Sequence, residues 1–273
     1  MHALIVNADD FGISLGVSRG ILETHLKGIV THTSLMPNMP AFSPAVELLK
    51  NAPKLEVGVH GTLTCGSPVS PPHQIPSLTE SNGQFHSLTA FLLRYWAGLI
   101  RKNEIEQEIE AQILRFKEHA LTPNHLNSHH HIHFLPNIAP IFFKLAQRHH
   151  IQGVRWGHPT LSSKRPFLGR GLCGLQIPRN LLRNYFIKKG IKTTPLPKGF
   201  QSPDCLLGLE HYSPGTYLNK LRTWLSIPWK GTAELVCHPG YVDSELTSFD
   251  LWTTPRDEER QALIHPSIFS RIQ

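Results

Sequence analysis

Four groups of histidine or aspartate residues each follow a short, strand-like run of apolar residues. The groups are Asp9 with Asp10, His60, residues 129–133, and His238. In a barrel of parallel strands, the loops at the carboxyl ends of the strands meet on one face, so distant segments can form one pocket. No glycine-rich nucleotide-binding loop follows the first strand, which disfavours an open nucleotide-binding sheet. The placement therefore predicts an α/β fold with a deformed, TIM-like (β/α) barrel.

Strand-like and helix-like segments alternate along the chain, as in other α/β proteins. The strand-like runs are residues 4–6, 34–36, 55–59, 125–126, 154–156 and 233–237, and the helix-like segments include 14–25, 42–49 and 136–149. Residues 103–119 repeat isoleucine every four positions, which predicts an amphipathic helix that needs no functional role. Because the sequence contains no repeat or linker, residues 1–273 are predicted to form one domain.

The formal net charge of +7 is unevenly distributed. Residues 158–203 are predicted to form a basic insertion that borders the pocket together with the loop of residues 61–85. Two interpretations of the insertion are open, namely a solvated surface segment and a contact for an acidic partner. No nucleic-acid-binding motif accompanies it, so we expect no nucleic acid partner.

Cysteine usage and the start of the chain both predict a cytoplasmic protein. The four cysteines contain no Cys-x-x-Cys pair, so we expect reduced thiols rather than disulfides or a thiolate zinc site. The first strand-like run begins at residue 4 and leaves no room for a signal peptide.

The apolar segment of residues 88–100 is too short to cross a bilayer, and Arg94 interrupts it. It is predicted to be a helix in the core or at the rim of the pocket. The alternative is a surface that contacts lipid or a lipid-linked substrate, which would make the protein a peripheral membrane protein.

The densest group of histidines is the run His-His-His-Ile-His at residues 129–133. On an extended chain, neighbouring side chains point to opposite sides, so His129, His131 and His133 would share one face and His130 the other. Catalytic zinc sites typically use three protein ligands and leave a position for water. We therefore expect at least one of these histidines to bind a metal ion.

The adjacent carboxylates of Asp9 and Asp10 would repel each other unless a cation or a shared proton offset the repulsion. One natural arrangement is that one aspartate binds the metal ion while its neighbour acts as a base. The alternative is a helix cap, because an aspartate before Ser14 is also a helix start signal. Together with His60 and His238, the set suits a hydrolase that cleaves an amide or an ester.

Four motifs carry a resemblance to a known family. In chain order they are Asn-Ala-Asp-Asp-Phe-Gly at 7–12, Val-Gly-Val-His at 57–60, His-Leu-Asn-Ser-His-His-His-Ile-His at 125–133 and Cys-His-Pro-Gly at 237–240. With them the chain resembles the YdjC-like carbohydrate deacetylases, which include chitooligosaccharide deacetylases and deacetylases of hopanoid biosynthesis. The resemblance implies a deformed (β/α) barrel and hydrolysis of an N-acetyl group to acetate and a free amine.

The resemblance also implies roles for individual residues. A divalent ion, such as Mg or Zn, would be bound by Asp10, His60 and His129. Asp9 would be the general base that activates the attacking water. His238 would be the acid that protonates the leaving amine, and Arg155 would orient Asp9 or hold the substrate.

Asn127 departs from the chitooligosaccharide deacetylases, which typically have Asp at this place before Ser-His-His-His. An amide can still orient a histidine ring by a hydrogen bond. The expected substrate is an N-acetylglucosamine-containing oligosaccharide or glycolipid, and a homodimer is also considered. Two alternatives stay open, namely a metal-dependent phosphohydrolase or esterase on the same barrel and a non-catalytic metal- or nucleic-acid-binding barrel.

Overall fold

Eight parallel strands form one curved sheet in the computed structural model, which describes residues 3–160, 179–250 and 252–269. The order of the strands across the sheet is β5-β4-β3-β2-β1-β8-β7-β6. In chain order the strands are β1 (Ala3–Phe11), β2 (His32–Leu35), β3 (Glu56–Gly61), β4 (His125–Ser128), β5 (Gly153–Val154), β6 (His158–Pro159), β7 (Cys205–Leu207) and β8 (Thr232–Cys237).

Helices connect most of the strands. In chain order they are α1 (Leu15–Leu26), α2 (Phe42–Leu49), α3 (Leu88–Trp96), α4 (Lys102–Glu118), α5 (Ala139–Arg148), α6 (Arg179–Thr193), α7 (Tyr217–Leu225), α8 (Thr254–Leu263) and α9 (Pro266–Phe269). The side chain of Ser14 caps α1 by accepting a hydrogen bond from the backbone of Val17 at 3.2 Å. The cap is therefore Ser14 and not an aspartate, so the alternative of a simple Asp cap is wrong.

The sheet curls into a half-barrel, which confirms the predicted α/β deformed barrel. Strand β1 lies in its centre and pairs in parallel with β2 and β8. At the β5 edge, the backbone of Gly153 forms an isolated parallel bridge with Gln201, and Val154 donates to the Gln201 carbonyl at 2.9 Å. This bridge brings β5 towards the segment that precedes β7, so the two ends of the sheet curve towards each other.

Helix α4 has a second role besides packing its isoleucines. Its side chains Glu104, Glu108 and Gln112 are buried and hydrogen-bond the backbone of the loop formed by residues 62–77. These polar residues between the isoleucines satisfy backbone groups of the loop that burial would otherwise leave unpaired.

The described part of the basic insertion, residues 158–160 and 179–203, contains β6 and α6. Residues 161–178, which include Lys164, Arg165 and Arg170, lie outside the described residues. We call residues His129–Phe134 the histidine turn. Helix α6 packs against this turn, and a side chain added at Gly190 would clash with the backbone of Phe134.

Cys65, Cys205 and Cys237 are free thiols, while Cys173 lies outside the described residues. Within the described ranges, no helix is both long and apolar enough to cross a bilayer.

Candidate active site

The carboxyl end of β1 turns sharply at its two aspartates. Asp10 has a φ of +69°, which is rare for a residue with a side chain, and the pairing of β1 with β2 shifts register between Ala8 and Phe11. The break in regular strand geometry ends the alternation of side chains. As a result, both carboxylates lie near His60, which contacts Asp10 and lowers the pKa of Asp9.

Asp10, His60 and His129 form a buried cluster at the carboxyl ends of β1, β3 and β4. The Oδ1 atom of Asp10 lies 3.2 Å from Nε2 of His60 and 2.9 Å from Nδ1 of His129. One ligand atom from each residue lies within 4.8 Å of the other two. A carboxylate oxygen and two imidazole nitrogens fit a divalent ion, and three protein ligands leave room for substrate or water.

The histidine turn does not continue as an extended chain. His130 and His131 have φ values of +56° and +55°, and residues 129–134 form a tight helical turn. The prediction that His129, His131 and His133 share one face is therefore wrong. Two consecutive left-handed residues reverse the chain after β4, and of the four histidines only His129 joins the metal-binding cluster among the described residues.

His133 stabilises the position of the histidine turn. Its ring lies 2.6 Å from Oγ of Ser128 and 3.0 Å from the carbonyl oxygen of Arg155. Burial lowers the pKa of His133 to about 3, and the nearby Arg155 cation contributes to the shift. A neutral ring that contacts both strand ends fixes the position of the turn.

Asn127 lies behind His60. Its side-chain amide is 2.7 Å from Nδ1 of His60 and 2.8 Å from Oγ of Ser34. With the amide oxygen towards His60, the ring keeps its proton on Nδ1 and leaves Nε2 free for a metal ion. In the alternative orientation, with the amide oxygen and nitrogen exchanged, the oxygen accepts a hydrogen bond from Ser34 and another, at 3.0 Å, from Nη2 of Arg155.

Arg155 holds the carboxylate of Asp9 by a buried ion pair. Its Nη1 and Nη2 atoms each lie 2.7 Å from one oxygen of the Asp9 carboxylate, and its Nε donates to Glu234 at 2.7 Å. Asn7 donates a further hydrogen bond to Asp9 at 2.6 Å. Burial raises the pKa of Asp9, but the charge and hydrogen bonds of Arg155 together with the charges of His60 and His238 outweigh it, and the net pKa is well below the usual range. Asp9 is therefore a carboxylate at neutral pH.

Arg256 holds the other aspartate. Its Nη2 donates to Oδ2 of Asp10 at 2.7 Å and to Asp250 at 2.6 Å. Burial raises the pKa of Asp10, but His129 and Arg256 lower it below the usual range. The sequence motifs do not contain Arg256, and nothing in the pattern around it on α8 indicates a contact with the first strand.

His238 follows β8 and is partly exposed. His238 is the last and smallest of the positive groups that lower the pKa of Asp9, after Arg155 and His60. Its backbone N–H donates to Glu259, which also accepts a hydrogen bond from Tyr212 at 2.6 Å. The six residues singled out in the sequence are thus connected by ion pairs or charge interactions at the carboxyl ends of the strands, and Glu259 and Glu234 hydrogen-bond to them. Glu234 had a signal in the sequence, since it is a charged residue within an apolar strand-like run.

The arrangement suits hydrolysis of a neutral carbonyl compound. A candidate cation site lies beside an ionised carboxylate that is held by an arginine, and the partly exposed imidazole of His238 lies at the end of the neighbouring strand β8. These are the parts needed to polarise a carbonyl group, accept a proton from water and return a proton to a leaving group.

Comparisons with known proteins agree with the geometry. The sequence profile of the YdjC-like protein family matches residues 3–273. A carbohydrate deacetylase from Halalkalibacterium halodurans is 35% identical over 95% of this chain and 94% of its own length. A carbohydrate deacetylase from Geobacillus stearothermophilus is 34% identical over 98% of this chain and 91% of its own length.

A solved structure shares the fold. It is a crystal structure from Enterococcus faecalis V583 of a protein described as a candidate cellobiose-phosphate cleavage protein. The TM-score is 0.75, the identity is 26%, and the match covers 99% of this chain and 94% of that one.

Proposed function

Because the chain belongs to the YdjC-like protein family, we propose that it hydrolyses the N-acetyl group of an amino sugar and releases acetate and a free amine. The relatives named carbohydrate deacetylase support deacetylation of a sugar. The observation that carries the proposal is the buried cluster of Asp10, His60 and His129 next to the Asp9–Arg155 pair.

The cluster would bind a divalent metal ion, Mg or Zn. Two of its three ligands are imidazole nitrogens, which favour zinc, whereas magnesium prefers oxygen ligands. A divalent ion would polarise the acetamide carbonyl and lower the pKa of the attacking water. Arg256 and Asn127 would keep the ligands Asp10 and His60 in place.

Asp9 would accept the proton of the attacking water. Arg155 and Asn7 occupy three of its lone-pair directions, and a carboxylate has about four. The remaining direction can receive the proton while water adds to the carbonyl carbon. When the carbon–nitrogen bond breaks, His238 would donate a proton to the leaving nitrogen, so acetate and the amine form.

The substrate we propose is an N-acetylglucosamine-containing oligosaccharide or glycolipid. A phosphorylated disaccharide is the second candidate, because the protein with the similar crystal structure is described as acting on cellobiose phosphate. The two classes differ in their products, since only the first releases acetate. A cytoplasmic location and a homodimer stay predictions.

The test measures acetate and phosphate release side by side. The substrates are N-acetylated chitobiose, an N-acetylglucosaminyl lipid and a phosphorylated disaccharide, each with zinc-loaded and magnesium-loaded protein. The variant Asp9→Asn removes the proposed base, and His150→Asn changes an exposed histidine that precedes β5 as a control. We expect acetate release that Asp9→Asn abolishes and the control keeps. Phosphate release without acetate release would instead support the phosphohydrolase.

A further inference from the structure

Large apolar side chains are exposed on one surface made by α3, the loop of residues 97–101 and α6. Leu93, Trp96, Leu99 and Tyr185 are between 52% and 68% exposed. The ring of Phe186 joins the two helices, because its centroid lies 5.4 Å from Trp96 and 5.4 Å from Tyr185. Contiguous exposed apolar patches of this kind mark binding surfaces, because water contact with them is unfavourable. We call these residues and the lysines next to them the aromatic-basic surface.

The aromatic-basic surface is positively charged. Helix α3, the loop of residues 97–101 and α6 contain no aspartate or glutamate. On α6, Lys188, Lys189 and Lys192 are exposed and follow Tyr185 at intervals of three, four and seven residues, so they share its helix face. The Nζ atom of Lys189 lies 5.8 Å from the ring centroids of both Trp96 and Tyr185. The apolar side chains and the lysines therefore form one continuous surface.

We propose that the aromatic-basic surface docks on an anionic lipid bilayer. Tryptophan and tyrosine rings are enriched at the level of the lipid headgroups, where one side of the ring is apolar and the other meets water. Lysines next to the bilayer attract anionic lipids. The leucines would enter the boundary of the acyl chains. The surface thus combines aromatic rings, lysines and leucines, the three features that such an interface needs. Within the described ranges, no helix can cross the bilayer.

Two other occupants fit the surface less well. Single-stranded nucleic acid would use the lysines and the aromatic rings, but it would leave the leucines Leu93 and Leu99 without apolar partners. A second copy of this chain, docked face to face, would bring the lysines of α6 against the same lysines of its partner, which is unfavourable. An anionic bilayer matches the charge and the apolar side chains together.

Docking would place the bilayer close to the active site. The opposite side of α6 packs on the histidine turn, where Gly190 allows close contact with Phe134. Helix α6 would therefore separate the bilayer from the histidine turn by about 10 Å, which is the diameter of one helix. Docking on the bilayer does not depend on the proposed deacetylation.

The test is flotation of the full chain with phosphatidylcholine vesicles that contain or lack phosphatidylglycerol. One variant carries Lys188→Gln, Lys189→Gln and Lys192→Gln, and a second carries Leu93→Ser and Trp96→Ser. The matched controls change exposed residues on other elements, namely Leu26→Ser on α1 and Lys50→Gln with Lys54→Gln after α2. Circular dichroism confirms that each variant is folded.

We expect the wild-type chain to float with the anionic vesicles and less with the neutral ones. The triple lysine variant should lower the partition coefficient by about 100-fold, given the contribution of each lysine at an anionic surface. The leucine-tryptophan variant should also lose binding, and the controls should keep it. Absence of wild-type binding, or unchanged binding of both surface variants, would overturn the proposal. So would binding of a single-stranded oligonucleotide by the same surface in place of vesicles.

Discussion

The guanidinium of Arg155 donates two parallel hydrogen bonds to the carboxylate of Asp9, each 2.7 Å long. Both side chains are buried, and Glu234 accepts a further bond from the same arginine. The pair links β1 with the end of β5, two segments that are 146 residues apart. It keeps Asp9 ionised and fixes the direction of its free lone pair.

Arg155→Lys tests the geometry of this pair without removing the charge. A lysine cannot make the two parallel bonds, so Asp9 should move within the pocket. We expect kcat for acetate release to fall by about 100-fold, because small displacements of a catalytic group have effects of this size. The value of KM should change much less. Arg148→Lys, at an exposed ion pair, is the control, and an unchanged kcat in Arg155→Lys would contradict the assigned positioning role.

Asn127→Ala tests how His60 is held. Without the amide, the His60 ring loses its partner at Nδ1 and can rotate away from the cluster. Metal affinity, measured by competition with a chelator, should fall by about 10- to 100-fold, as for other residues that orient a metal ligand. Asn124→Ala, at an exposed asparagine of the loop before β4, should keep the wild-type affinity. Equal affinities for all three proteins would show that Asn127 does not orient the ligand.

Glu108→Ala tests the anchor between α4 and the loop that follows β3. The two carboxylate oxygens accept hydrogen bonds from the backbone N–H groups of Val69 and Ser70 at 2.9 and 2.8 Å. Leaving these groups unpaired should lower the free energy of unfolding by about 2 to 4 kcal/mol. Denaturant titration measures the loss. Glu118→Ala, at an exposed position of the same helix, should change stability little, and similar losses in both variants would argue against the anchor.

His125 gives the stability of the metal-free protein a pH dependence. Burial against Gly58 and Ser34 lowers the pKa of His125 to about 3, whereas an unfolded histidine titrates near 6.5. Its contribution is therefore fully present above pH 6.5 and is lost as the pH falls towards 3, because the unfolded chain binds a proton that the folded chain excludes. One such group changes the free energy of unfolding by about 1.4 kcal/mol per pH unit.

The variant His125→Asn removes this titration. Its free energy of unfolding should fall less steeply than that of the wild type between pH 6.5 and pH 4.5, which denaturant titrations at each pH can measure. His158→Asn, at an exposed histidine, should follow the wild-type curve. Parallel curves for the wild type and His125→Asn would show that His125 is not held neutral.

The sequence predicted the barrel because strand ends and metal-binding residues coincide. That pattern is local and predicts that Asp9, Asp10, His60, residues 129–133 and His238 lie near one another, whereas the choice of Asp10, His60 and His129 as the metal ligands is implied by the family resemblance. The histidine run was misjudged because periodicity assumes regular backbone, and two left-handed residues reverse the chain there. Arg256 was missed because its contact with Asp10 joins residues 246 positions apart, and no local pattern signals such a contact.

Metal dependence of acetate release is the most direct test of the central claim. The measurement uses N-acetylated chitobiose and follows acetate together with protein-bound zinc, in the wild type and in His129→Ala, before and after treatment with a chelator. We predict that the chelator removes zinc and stops acetate release, that added zinc restores both, and that His129→Ala binds zinc weakly and releases little acetate. Undiminished acetate release from zinc-free wild type or from His129→Ala would contradict the account.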